Sequence, residues 1–173
     1  PPVPANMEPN GVYAEMKEIG SGSRNWTEEQ WDFYRWMYCR LVEDVEKQIG
    51  RILTALANSG LADNTVVVFT SDHGEMGQSH GLVFKSQLLE EATRTPLLIA
   101  GPGIQKGVVD SKNLTCGIDL VPTLCDLAGI SIPKGLSGKS LKPVLTGQTD
   151  RIPRDYIIVE SSFGYQINDG RYK

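Results

Sequence analysis

The chain of 173 residues is 40% hydrophobic and 22% charged, enough length and apolar content for one globular domain with a sizeable core. A formal net charge of -4 and a pI ≈ 5.2 exclude the broad basic surface that nucleic acid or anionic lipid attracts. No uninterrupted apolar run approaches the roughly 20 residues that span a bilayer, and PPVPANMEPNG at the start is unlike a signal peptide. Three cysteines, Cys39, Cys116 and Cys125, have no metal-ligand spacing; the apolar pattern around Cys125 and the helical pattern around Cys39 favour burial over reactivity.

In chain order, the proline-rich residues 1–10 are expected to be extended, like the middle of a loop. Thr27 and Gln30 form a capping-box signature. Tyr34, Tyr38, Leu41, Val45, Ile49, Ile52 and Leu56 then recur at three- and four-residue steps, predicting one long amphipathic helix that ends at Asn58-Ser59-Gly60. Residues 65–70, TVVVFT, are β-branched and aromatic without polar alternation, which predicts a strand covered on both faces in a parallel sheet. Residues 86–94 predict a short helix, and Pro96 to Ala100 a second buried strand closed by Gly-Pro-Gly. A helix follows over Leu120 to Leu127, with Asp119 near its N-terminus in a structural role, accepting backbone N–H groups and facing the helix dipole. Leu141 to Leu145 predicts another short helix and Tyr156 to Glu160 another strand. The closing NDGRYK predicts an Asp-Gly turn and the start of a paired strand.

The chemistry-bearing residues gather after the first strand, in TSDHGEMGQSHGLVFK. In open α/β sheets ligands collect beyond the carboxyl ends of strands, where loops diverge. Asp72 and His73 cannot face one way along a regular strand, but a chain broken at Gly74 lets both turn toward one point. A divalent cation is the simplest object that wants both, and the imidazole nitrogen pushes the choice toward zinc or manganese over calcium. From the dipeptide alone, Asp72 capping its own loop is the first reading; the strand before it reverses the order, as do the second histidine, His80, and Lys85 in the same loop. Lys85, embedded in LVFKSQLL, suits an anionic group such as sulfate or phosphate. His80 either contacts substrate or, the preferred reading, holds the loop by hydrogen bonds.

The run from LVEDVEKQIGRILTALANSGLADNTVVVFTSDHGEMGQSHGLVFK through RTPLLIAGPG to IDLVPTLCDLAGI closely resembles the later half of the type I sulfatases, in the alkaline-phosphatase superfamily. The resemblance implies a three-layer α/β/α alkaline-phosphatase-like sulfatase fold, here a partial domain with a largely parallel sheet. Residues 1–150 would be the later half of the catalytic domain and residues 151–173 the start of C-terminal subdomain strands. It implies Asp72 and His73 as metal ligands, with calcium the family's usual ion and zinc or manganese used by other members of the superfamily. Lys85 matches the family lysine that contacts the sulfate ester, which makes it the catalytic and substrate-binding candidate beside His80. Asp119 and Pro122 match a structural segment.

The departure from the family pattern is equally informative. The family's formylglycine nucleophile arises in a Cys/Ser-x-Pro/Ala-x-Arg motif, and none of the three cysteines has proline or alanine at the next-but-one position. The early aspartate pair of the metal site is also absent. The resemblance therefore implies a fragment lacking the N-terminal nucleophile half, inactive alone and marginal or self-associating when isolated, whose parent hydrolyses a sulfate monoester on a sulfated carbohydrate or aryl compound. A phosphodiesterase or phosphonate monoester hydrolase of the same superfamily is the nearest alternative, and a non-catalytic metal-binding or interaction module the alternative of another class. The resemblance implies a periplasmic, secreted or lysosomal compartment.

Overall fold

The computed structural model describes residues 26–85, 87–162 and 164–173. The extended opening expected over residues 1–10 lies outside them, as does Ser86 at the start of the helix expected over 86–94.

Helix α1, Glu28–Asn58, begins where the capping box places it. Gln30 N–H donates to Thr27 Oγ1 (3.3 Å), and Thr27 N–H to Gln30 Oε1 (2.8 Å). Glu28 and Glu29 in its first turn face the positive end of the dipole. The helix closes at Ser59, and Gly60 takes a left-handed φ of 73°. Its first turns are anchored by buried Trp31, whose ring lies 4.9 Å from Trp26 and 5.9 Å from Tyr34. Further along, Phe33, Trp36, Leu41, Val45 and Ile52 remain exposed among the described residues. Of the apolar stripe read from the sequence, Tyr34, Ile49 and Leu56 are half-buried, whereas Tyr38, Leu41, Val45 and Ile52 are exposed.

Strand β1, Val67–Thr70, pairs with β2, Leu97–Ala100, in register Val67↔Ala100 to Thr70↔Leu97. The pairing is antiparallel, and this corrects the expectation of parallel neighbours within the described residues. A parallel return needs a crossover running back along the sheet, commonly a helix. Here the described residues between the strands form short turns and the one-turn helix α2, Glu90–Thr93, with no helix long enough to run back along the sheet, and β2 starts at the end where β1 stops. The strands are also not covered on both faces: Phe69 and Leu98 are 41% and 58% exposed. An unbroken apolar run signals two faces that require cover; it carries no information on strand direction.

Helix α2 is shorter than the helix expected over 86–94, because the residues before Glu90 bend along the wall of the site loop. Helix α3, Leu120–Leu127, and the one-turn α4, Lys142–Leu145, sit close to their expected positions. Strand β3, Ile157–Ser161, pairs antiparallel with β4, Gly164–Asn168, whereas the sequence pointed to pairing after the Asp-Gly turn. The Gly-Tyr-Gln-Ile-Asn of β4 has a glycine and two amides where a strand pattern wants bulk, which hid it. The Asp169 carboxylate instead closes a turn after β4, accepting from Arg171 N–H (2.8 Å) and Tyr172 N–H (2.6 Å).

Asp119 is structural, as expected, but through different partners. It is fully buried, and its carboxylate accepts from Cys116 N–H (3.0 Å) and Lys139 N–H (2.8 Å) rather than from helix α3. Arg154 grips it with both guanidinium nitrogens, at 2.6 and 2.5 Å. Burial alone pushes the Asp119 carboxyl up; the bonds from Arg154, Lys139 and Cys116 outweigh it and hold the group below the usual carboxylate value. The same packing unit contains Thr123, whose hydroxyl donates to Asp119 O (2.6 Å) and accepts from Leu141 N–H (2.9 Å). It ties α3 to α4 and to the chain leading into β3.

Candidate active site

Beyond Thr70 the extended ladder gives way to local hydrogen bonds. Ser71 Oγ donates to His73 O (2.7 Å), and His73 N–H donates to Asp72 Oδ1 (2.9 Å). That backbone bond is the largest influence holding the Asp72 carboxyl below its ordinary value. His73 Nδ1 lies 2.8 Å from Gly74 O. A carbonyl only accepts, so Nδ1 carries the proton, and in the neutral ring the lone pair sits on Nε2. Nε2 faces Asp72 Oδ2 at 3.4 Å. Two acceptors turned toward each other across that gap suit a shared cation, and a ligand histidine commonly anchors its other nitrogen on a carbonyl in this way. Among the described residues no third His, Cys, Asp or Glu joins them in a metal-holding cluster.

Gly74 locks the loop against helix α2. Its N–H donates to Ala92 O (2.9 Å), and a Cβ built on Gly74 would lie 1.8 Å from Glu91 O. The sequence reading gave this glycine freedom to turn; the structure adds that only a hydrogen fits. Gly74→Ala is therefore expected to destabilise the protein by about 1–3 kcal/mol, or more if the loop cannot yield, read as a lowered urea midpoint. An unchanged midpoint would refute the close approach.

The rest of the loop is organised around Glu75, which sequence reasoning passed over. Its Oε1 accepts from Tyr34 OH (2.9 Å), Phe84 N–H (2.8 Å) and Gly77 N–H (3.2 Å), tying helix α1 to both ends of the 75–84 turn. Burial, then the hydrogen bond and charge of Glu75, push the Tyr34 hydroxyl up to about 12, so it stays a donor at any working pH. Gln78, His80 and Phe84 adopt left-handed φ values of 78°, 57° and 65°, which non-glycine residues hold only when their surroundings enforce it. Met76, Leu82 and Ala92 form the small core beneath them. His80 Nε2 lies 3.3 Å from Glu91 Oε1, so this histidine is engaged with α2.

Asp72, His73 and Lys85 line one open depression of about 270 Å³. Gln87 and Leu88 continue its wall, and Glu160 and Ser161 enter from strand β3. His80 is not among its lining residues. The β3 contribution and Gln87 were invisible in the sequence: the first depends on a distant strand folding over the loop, and the second carried no signal beyond lying two residues after Lys85.

Residues 8–130 match the family described as Sulfatase. Delta 4,5-hexuronate-2-O-sulfatase of Bacteroides thetaiotaomicron is 38% identical over 152 residues, covering 85% of this chain and 32% of that protein. A solved 2-O GAG sulfatase superposes with a TM-score of 0.77 at 34% identity, over 87% of this chain and 35% of the other. The phosphonate monoester hydrolase of Silicibacter pomeroyi superposes with a TM-score of 0.76 at 33% identity, over 84% and 30% of the two chains. The chain spans about a third of the length of these proteins and has part of their α/β, alkaline-phosphatase-like fold. With most of its length matched by the family and its fold shared with solved members, this chain belongs to the sulfatase family.

Proposed function

We propose that the protein to which this chain contributes hydrolyses a sulfate monoester, with a sulfated carbohydrate as its substrate class. The observation that carries the reading is the meeting of Asp72, His73 and Lys85 in one depression. Asp72 Oδ2 and His73 Nε2 would hold a divalent metal ion, calcium by family resemblance, with zinc or manganese the choice that the nitrogen donor alone would suggest. When bound, that ion supplies positive charge for sulfate oxygens. Lys85, on the same wall, donates hydrogen bonds to the sulfate and stabilises the charge that develops as the ester bond breaks. His80, paired with Glu91, holds the loop rather than the ester. The formylglycine nucleophile is assigned to residues outside this chain, so the chain alone would be inactive. Residues 1–150 are read as catalytic-domain sequence and 151–173 as the beginning of a C-terminal subdomain.

The carbohydrate preference rests on the polar, non-aromatic wall that Gln87, Glu160 and Ser161 add, and on the hexuronate named for the Bacteroides relative. Phosphonate monoester hydrolysis is the second reading, supported by the similarity to the Silicibacter pomeroyi enzyme. The deciding experiment compares kcat/KM of the whole protein on 4-nitrophenyl sulfate and on 4-nitrophenyl phenylphosphonate. A clear advantage for the sulfate supports the proposal, and the reverse order replaces it with the second reading. For the metal, calcium titrated into the whole protein should bind at least about tenfold more weakly after Asp72→Ala, the loss of one charged ligand. Equal affinities would remove Asp72 from the site.

A further inference from the structure

Gln87 is 6% exposed, and its side-chain oxygen has no hydrogen-bond partner among the described residues. Buried amide oxygens are rarely left so, and an exception asks for a reason. Gln87 lines the same depression as Asp72, His73 and Lys85, two residues after Lys85 and therefore within roughly 7 Å of it along the chain. The oxygen lies turned out of solvent contact, but a half-turn about the last side-chain torsion, which is broad and shallow for glutamine, exchanges it with the amide nitrogen.

What the oxygen needs is a donor, and the parts of the substrate differ in whether they have one. Ionised sulfate oxygens only accept, so the sulfate group cannot satisfy it. The cation held by Asp72 and His73, and the ammonium of Lys85, are already matched to those sulfate oxygens. The remaining donors are the hydroxyl or N–H groups of the alcohol half of the ester. Resting on the sulfatase reading above, we propose that Gln87 is a specificity-determining residue: its amide oxygen accepts a hydrogen bond from a hydroxyl next to the sulfated position, so that the site selects esters of vicinal diols such as a sugar ring. With the amide turned so that its oxygen faces the depression, an analogue that lacks the matching donor leaves that oxygen unpaired in the closed complex, and the site discriminates against it.

The test uses the whole protein and three esters: methyl glucuronoside 2-O-sulfate, its 3-deoxy counterpart, and 4-nitrophenyl sulfate. The unaltered protein should favour the 3-hydroxyl sugar over the 3-deoxy sugar by on the order of 100-fold in kcat/KM. In Gln87→Leu that ratio should fall to near one, through loss on the hydroxyl-bearing ester. Gln87→Glu retains an acceptor and should retain the preference, which keeps the test decisive if the leucine variant fails to fold. A ratio near one in the unaltered protein overturns the proposal, as does an unchanged ratio in Gln87→Leu. Hydrolysis of 4-nitrophenyl sulfate with neither sugar ester accepted overturns it as well, while leaving the sulfatase reading in place. No sulfate release from any of the three overturns the sulfatase reading itself, and this inference with it.

Discussion

In the whole protein, Lys85→Ala should lower kcat for sulfate release by about 10²- to 10³-fold, with little change in melting temperature. The size follows from the role proposed for the group. A preorganised donor aimed at charge that grows in the transition state is worth more there than in the ground state, so its loss falls on kcat more than on KM. The stability half of the prediction follows from exposure: Lys85 is a solvent-facing residue on the wall of the depression, and its removal opens no cavity. Lys85→Arg should recover only part of the rate, because a planar fork does not present its donors where a compact ammonium does. Turnover unchanged in the alanine variant would strip Lys85 of its role. Lost turnover together with a collapsed melting temperature would make it structural.

The second large effect concerns stability and lies away from the depression. Arg154→Met should cost about 3–5 kcal/mol at pH 7, since it leaves the buried Asp119 carboxylate without its charged partner. The arginine also donates to Leu114 O at 3.0 Å, so the substitution frees the segment that precedes β3. The pH dependence has a definite sign. The folded-state pKa of Asp119 lies below its unfolded value of about 3.9, so the stabilisation is fully present above that value and is lost as pH falls through the lower, folded one. Arg154 itself, with its pKa raised further, stays charged throughout. Urea unfolding of the two proteins at pH 7 and again near pH 3 should show a gap that narrows in acid. Equal stabilities at pH 7 would mean that the pair only breaks even with its desolvation cost.

How much of this was legible in the residues varies with the range of the forces involved. Helix α1 was readable to its ends because Thr27, Gln30 and Gly60 act on their own neighbours. The approach of Asp72, His73 and Lys85 was readable because all three lie in one loop whose strand announced itself. Strand direction was not, since β1 and β2 look alike as apolar runs in either orientation, and only the course of residues 71–96 between them decides. The support given by Glu75 was hidden in the same way: a glutamate in a loop has no sequence mark that distinguishes one facing water from one collecting Tyr34, Gly77 and Phe84. Asp119 was placed in the right role for the wrong partners, because Arg154 comes from a segment far along the chain.

The antiparallel pairing of β1 and β2 bears on how such a site can change over time. Thr70 and Leu97 are cross-strand partners, so the entire excursion through Asp72, His73, Lys85 and Gln87 leaves and re-enters the sheet at a single rung. A stretch closed off in this way can be lengthened, shortened or exchanged with that of a relative without shifting the register of either strand. The 71–96 excursion is thereby a segment that could be exchanged between members' sheets, provided that the contacts it makes with Tyr34 of α1 and with the β3 wall are exchanged with it.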